Sequence, residues 1–78
     1  MKCKELVKLL AKDGWHTARQ SGSHMQFNHA AKPGFVTVAP HGMDSEIPPG
    51  TLKSIEEQSG LTFQADRRGK YTAVQRIK

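Results

Sequence analysis

Residues 21–39 read SGSHMQFNHAAKPGFVTVA, and the fold follows from how this stretch alternates. Between His24 and His29, Met25 and Phe27 fall on one side of an extended chain and His24, Gln26 and Asn28 on the other, because strand side chains switch faces with period two. The spacing predicts a strand there that presents His24 away from Phe27. Phe35-Val36-Thr37-Val38-Ala39 is the most strand-like run in the chain, rich in β-branched and aromatic residues and stopped by Pro40. Lys32-Pro33-Gly34 separates the two runs as a turn in which Pro presets φ and Gly takes a positive φ. On the other side, Ser21-Gly22-Ser23 supplies a tight turn, with Gly22 at the position that needs φ above zero. Before it, Trp15–Gln20 alternates imperfectly and is read as a third strand.

Helical spacing flanks these strands. Leu6, Val7 and Leu10 recur at i, i+1 and i+4 within Lys4–Asp13, with Lys2, Lys4, Lys8 and Lys12 set between them, and Gly14 follows as a left-handed stop. Residues 41–50, HGMDSEIPPG, have no period and read as an irregular connection. Thr51–Ser59 resumes helical spacing through Leu52 and Ile55, with Thr51 or Gly50 as the cap and Gly60 as the stop. The order is helix, three strands, helix: an antiparallel α+β domain with both helices on one face of a three-stranded sheet. Residues 62–78 form a basic extension in which Arg67-Arg68-Gly69-Lys70 divides two weakly alternating halves, permitting a hairpin, a peripheral strand or a basic tail.

Composition narrows the function. Seventy-eight residues with 36% hydrophobic content build one small core, which leaves no room for a large enclosed substrate cavity or multi-step enzymology. Twelve Lys and Arg against seven Asp and Glu give a net charge of +5, which favours a polyanionic partner, nucleic acid ahead of a membrane surface. Cys3 is alone, so neither an intramolecular disulfide nor a Cys2His2 zinc finger is available. No signal-peptide pattern or membrane-spanning apolar run is present, and a cytoplasmic location is expected.

Four His residues raise the question of a metal site, but His16, His24, His29 and His41 contain no i, i+4 helical pair and no Cys or carboxylate at ligand spacing. No metal and no cofactor are expected. Imidazole titrates near neutrality and so suits proton transfer in RNA cleavage by the neighbouring 2′-hydroxyl, although a histidine at a strand start is more often simply solvated. Met25, Phe27, Val36 and Val38 read as core, and Trp15 as packing between helix and sheet. Lys12, Arg19, Lys32 and Lys53 flank the turn and the helix entry as candidate phosphate contacts, and Ser23 offers a hydroxyl to a phosphate or to its own loop.

The opening helix with Glu5-Leu6, Gly14-Trp15 leading into a strand, the turn Gly22-Ser23-His24, the strand Val36-Thr37-Val38 and the run Ile47-Pro48-Pro49-Gly50-Thr51-Leu52 together resemble the HicA toxin family. The resemblance spans residues 1–61. Cys3 stands where many members carry a Ser or Thr able to cap the first helix. The resemblance implies an αβββα domain similar to double-stranded-RNA-binding folds, with residues 1–61 as the domain and 62–78 outside it. It further implies a metal-independent mRNA endoribonuclease, or mRNA interferase, acting through His24, leaving a 2′,3′-cyclic phosphate and restrained by a HicB antitoxin. The alternative is a non-catalytic RNA-binding module, since the same order and charge suit recognition of RNA by shape and phosphate contacts.

Overall fold

The computed structural model describes residues 1–22, 24–39 and 42–76. Its elements are α1 (Cys3–Asp13), β1 (Trp15–Ser21), β2 (His24–His29), β3 (Phe35–Val38), α2 (Pro49–Ser59), β4 (Leu61–Ala65) and β5 (Tyr71–Gln75). The first three strands form an antiparallel sheet in the order β1-β2-β3, and β4 and β5 form a separate hairpin. The α+β, αβββα arrangement expected from the alternation is the one found.

Alternation decides what the sheet buries. Trp15 pairs with His29, Thr17 with Phe27, Phe27 with Val36 and Met25 with Val38, so these residues share one face. Trp15, Phe27, Val36 and Val38 on that face are buried together with Leu6 and Leu10 of α1 and Ile55 of α2. Val7 and Leu52 are half-buried beside this cluster. Both helices therefore lie on the same side of the sheet.

The helix ends depart from the simplest reading of the residues. Helix α2 begins at Pro49, two residues before Thr51, and neither Gly50 nor Thr51 caps it; Pro48 is the cap. A proline in the first turn loses nothing there, because its missing N–H would have had no partner within the helix and its φ is already helical. Helix α1 starts at Cys3 with Lys2 as cap, so Cys3 is not in a capping position at all. Its thiol is fully buried, and burial pushes its pKa up, which keeps it protonated and inert. The first amides of α1 are met from outside: Cys3 N–H donates to the Ser45 carbonyl and Lys4 N–H to the Met43 carbonyl, both at 2.9 Å.

Gly14 closes α1 at φ +106 and leads directly into Trp15. Gly60 closes α2 at φ +71 and leads directly into β4. Of the options open for the C-terminal segment, the chain adopts the hairpin. Asp66 organises its turn: Oδ1 accepts the amides of Arg68 at 2.8 Å and Lys70 at 2.9 Å, and Gly69 at φ +78 completes the reversal. Leu61 and Phe63 face inward and join the core, with Tyr71 and Ala73 packed against it. The hairpin leans on α2 through β4 and on α1 through β5. Ile77 and Lys78 lie outside the described residues.

Candidate active site on the open face of the sheet

The helices cover one face of the sheet and leave the other bare. On the bare face three rows of side chains cross the strands: Ser21 and His24; Arg19, Gln26 and Thr37; His16, Asn28 and Phe35. All are exposed except Gln26, which is half-buried. The three strands contain no Asp or Glu, so no carboxylate competes for the cations on this face.

A bulge makes this arrangement possible. The register of β1 against β2 shifts between Thr17 and Arg19, leaving Ala18 without a partner. Strict alternation from buried Trp15 would have sent Thr17, Arg19 and Ser21 all to the helix side. One extra residue reverses every side chain after it, so Arg19 and Ser21 emerge on the His24 face. Arg19 pairs with Gln26, two residues from His24 on the same face, and diagonal neighbours of this kind lie about 7 Å apart, within reach of a guanidinium. The imperfect alternation of Trp15–Gln20 was the trace of this bulge in the sequence.

The remaining sequence candidates divide by position. The pair Ser21 and His24 closes a two-residue connection in which Gly22 has φ +58, while Ser23 lies outside the described residues. Lys53 is exposed on α2, one turn from its start. Lys12 and Lys32 stand at the other end of the sheet, beside the pair Trp15 and His29. Five residues of strand separate His29 from His24, about 17 Å.

Lys32 is held in place there. Its ammonium donates to Asp13 Oδ2 at 2.7 Å and to the Ser59 carbonyl at 3.0 Å, tying the end of α1 to the end of α2. Asp13 also accepts Trp15 Nε1–H at 3.1 Å and the Gln75 amide, which brings β1 and β5 to the same carboxylate. Burial raises the Asp13 pKa, but hydrogen bonds from Lys32 and Gln75 and the Lys32 charge outweigh it, and the carboxyl sits below its ordinary value. Asp13 gave no signal in the sequence beyond its place before a helix-ending glycine, since its partners come from positions 15, 32 and 75.

Two histidines can now be told apart. His29 lies 3.8 Å from Asp13 Oδ2 and looks like half of a catalytic pair, but its ring is committed. Nδ1 accepts amides from Ala31 at 2.9 Å and Lys32 at 3.2 Å, and Nε2 donates to the Asp13 carbonyl at 2.6 Å, the tautomer being assigned from these partners. The ring also packs edge-on against Trp15, centroids 5.1 Å apart. His24, by contrast, is exposed and stands next to a cation. Among the described residues no three His, Cys, Asp or Glu side chains come together as a metal-binding group. His41 lies outside the described residues.

A family model described as the HicA toxin of bacterial toxin–antitoxin systems matches residues 3–61, three-quarters of the chain. The chain belongs to the HicA toxin family. That match takes in α1, the whole three-stranded sheet with its open face, and α2, and it stops where the hairpin begins. No curated protein sequence matches the chain. No helix among the described residues is long and apolar enough to cross a membrane. A groove of about 610 Å³ between α1 and β5, edged by Lys8, Lys12, Lys70 and Tyr71, opens on the hairpin side and not on the His24 face. In this HicA chain, then, the groove and the exposed His24 belong to opposite surfaces.

Proposed function

We propose that this HicA chain is an endoribonuclease that cleaves mRNA on the open face of its sheet, acting in the cytoplasm as the toxin of its toxin–antitoxin system. One observation carries the reading: His24 and Arg19 are diagonal neighbours on a face whose strands carry no carboxylate. An imidazole can remove the proton from a 2′-hydroxyl or return one to the leaving oxygen, and an adjacent guanidinium can hold the phosphate as charge gathers on it. Attack by the 2′-oxygen on phosphorus, with departure of the 5′-oxygen, gives a 2′,3′-cyclic phosphate and needs neither a metal nor a cofactor. Ser23 extends the contact to the flanking backbone in this reading, and Lys53 and Lys12, both on helices, meet RNA only where it wraps past the sheet. Lys32 acts in this reading as a brace between the helices, not as a phosphate ligand.

A HicB antitoxin would restrain the enzyme by covering the same face, presenting carboxylates to Arg19 and the histidines. The test is cleavage of end-labelled mRNA fragments in EDTA by wild type and His24→Ala. The expected result is cleavage that survives EDTA and a loss of at least about a hundredfold in the variant, the usual contribution of an acid–base group, with an unchanged melting temperature. Equal rates for the two proteins, or metal-restored activity after EDTA, would overturn it. RNA binding without cleavage by wild type would leave a non-catalytic RNA-binding module instead.

A further inference from the structure

Phe35 is 55% exposed, and the register places it on the open face in the row with Asn28 and His16. No helix or strand among the described residues covers it, because both helices and the hairpin lie on the other side of the sheet. We infer that Phe35 is a stacking platform for a base of single-stranded RNA, on a strand laid along the sheet face from His24 toward His16. The inference rests on the endoribonuclease reading and names its substrate class.

Geometry and charge choose this occupant. Asn28, opposite Phe35, and His24 are four residues apart on β2, about 13 Å along the strand. That is nearly four times the rise of about 3.4 Å between stacked nucleotides of a duplex strand. A base on Phe35 therefore belongs to a nucleotide beyond the one being cut. Between the two ends, Arg19 offers the backbone a cation, and Gln26, Asn28 and Thr37 offer hydrogen-bonding groups to base edges. Strands free of Asp and Glu complement a phosphate chain. A flat sheet with an aromatic side chain is a surface on which unpaired bases stack, whereas a duplex hides its base faces.

The test is fluorescence anisotropy with a labelled 12-nucleotide single strand and the corresponding duplex, using His24→Ala as the parent so that the RNA survives. Removing an aromatic platform costs roughly five- to 150-fold in affinity. Phe35→Ala on the parent is expected to weaken single-strand binding at least about fivefold, Phe35→Trp to retain it, and the duplex to bind more weakly than the single strand throughout. Unchanged single-strand affinity in Phe35→Ala, or duplex binding as tight as single-strand binding, would overturn the inference. So would a Phe35→Ala defect confined to antitoxin binding. Failure of the two readings is separable: wild type that cleaves nothing but binds single strands through Phe35 ends the endoribonuclease reading alone. His24-dependent cleavage with indifference to Phe35 ends the stacking site alone.

Discussion

At the scale of single residues, Asp13 does more for the fold than any candidate for chemistry does. It joins α1, β1, the β2–β3 turn through Lys32, and β5 through Gln75. Its lowered pKa gives stability a direction with pH. The unfolded carboxyl titrates near about 3.9, so the contribution is complete above that value and disappears as pH falls through the lower folded pKa. Asp13→Asn is expected to lose about 2 kcal/mol at pH 7, with the gap to wild type closing below about pH 4. Urea melts of the two proteins across that range measure it, and a gap independent of pH would show that the carboxylate charge is not what matters. It was the family resemblance, through Gly22-Ser23-His24, that singled out His24 among the histidines. The sequence could not show that His29 is occupied, because what occupies it is a backbone carbonyl sixteen positions away.

At the scale of elements, legibility followed period. Met25, Phe27, Val36 and Val38 alternate without interruption and were readable as core, as were Leu6 and Leu10 on their helix. In β1 the period breaks at Ala18, and a rule of strict alternation has no means of saying which side Arg19 takes. Deleting Ala18 should close the bulge and leave Arg19 opposite Gln26 on the open face, because Thr17 and Arg19 then become adjacent and point to opposite sides. The expected outcome is RNA cleavage retained in the deletion and reduced about a hundredfold in Arg19→Ala, with sheet circular dichroism kept in both; full activity in Arg19→Ala would remove Arg19 from the site. The hairpin stayed one of three options for a different reason. Leu61 and Phe63 alternate for only two inward positions, and Tyr71 and Ala73 on β5 are only half-buried, so the signal of Asp66 and Gly69 as a turn stood without strong flanks. Its contribution to the core is nonetheless measurable. Phe63→Ala should cost about 3 kcal/mol, comparable with the roughly 2 to 5 kcal/mol expected for Leu10→Ala, and a Phe63→Ala melting curve matching wild type would make the hairpin an ornament.

At the scale of the whole molecule, the helices form a middle layer between a sheet face left for a ligand and a hairpin that closes the other side. A partner seated on the sheet face leaves the α1–β5 groove untouched. The one-residue junction between α1 and β1 has a consequence for how copies of the chain meet one another. Gly14 sits at φ +106, and a Cβ there would come within 2.7 Å of His29 Nε2, so the closed corner excludes every side chain twice over. A short connection that is strained when closed is relieved when it opens, and an opened corner lets α1 dock on the sheet of a second copy in place of its own. Gly14→Ala is therefore expected to yield an arm-exchanged dimer in addition to losing stability. Light scattering after size-exclusion chromatography would show the doubled mass, and a destabilised protein that stays at the wild-type mass would show that the corner, once strained, gives way by unfolding instead of by exchange.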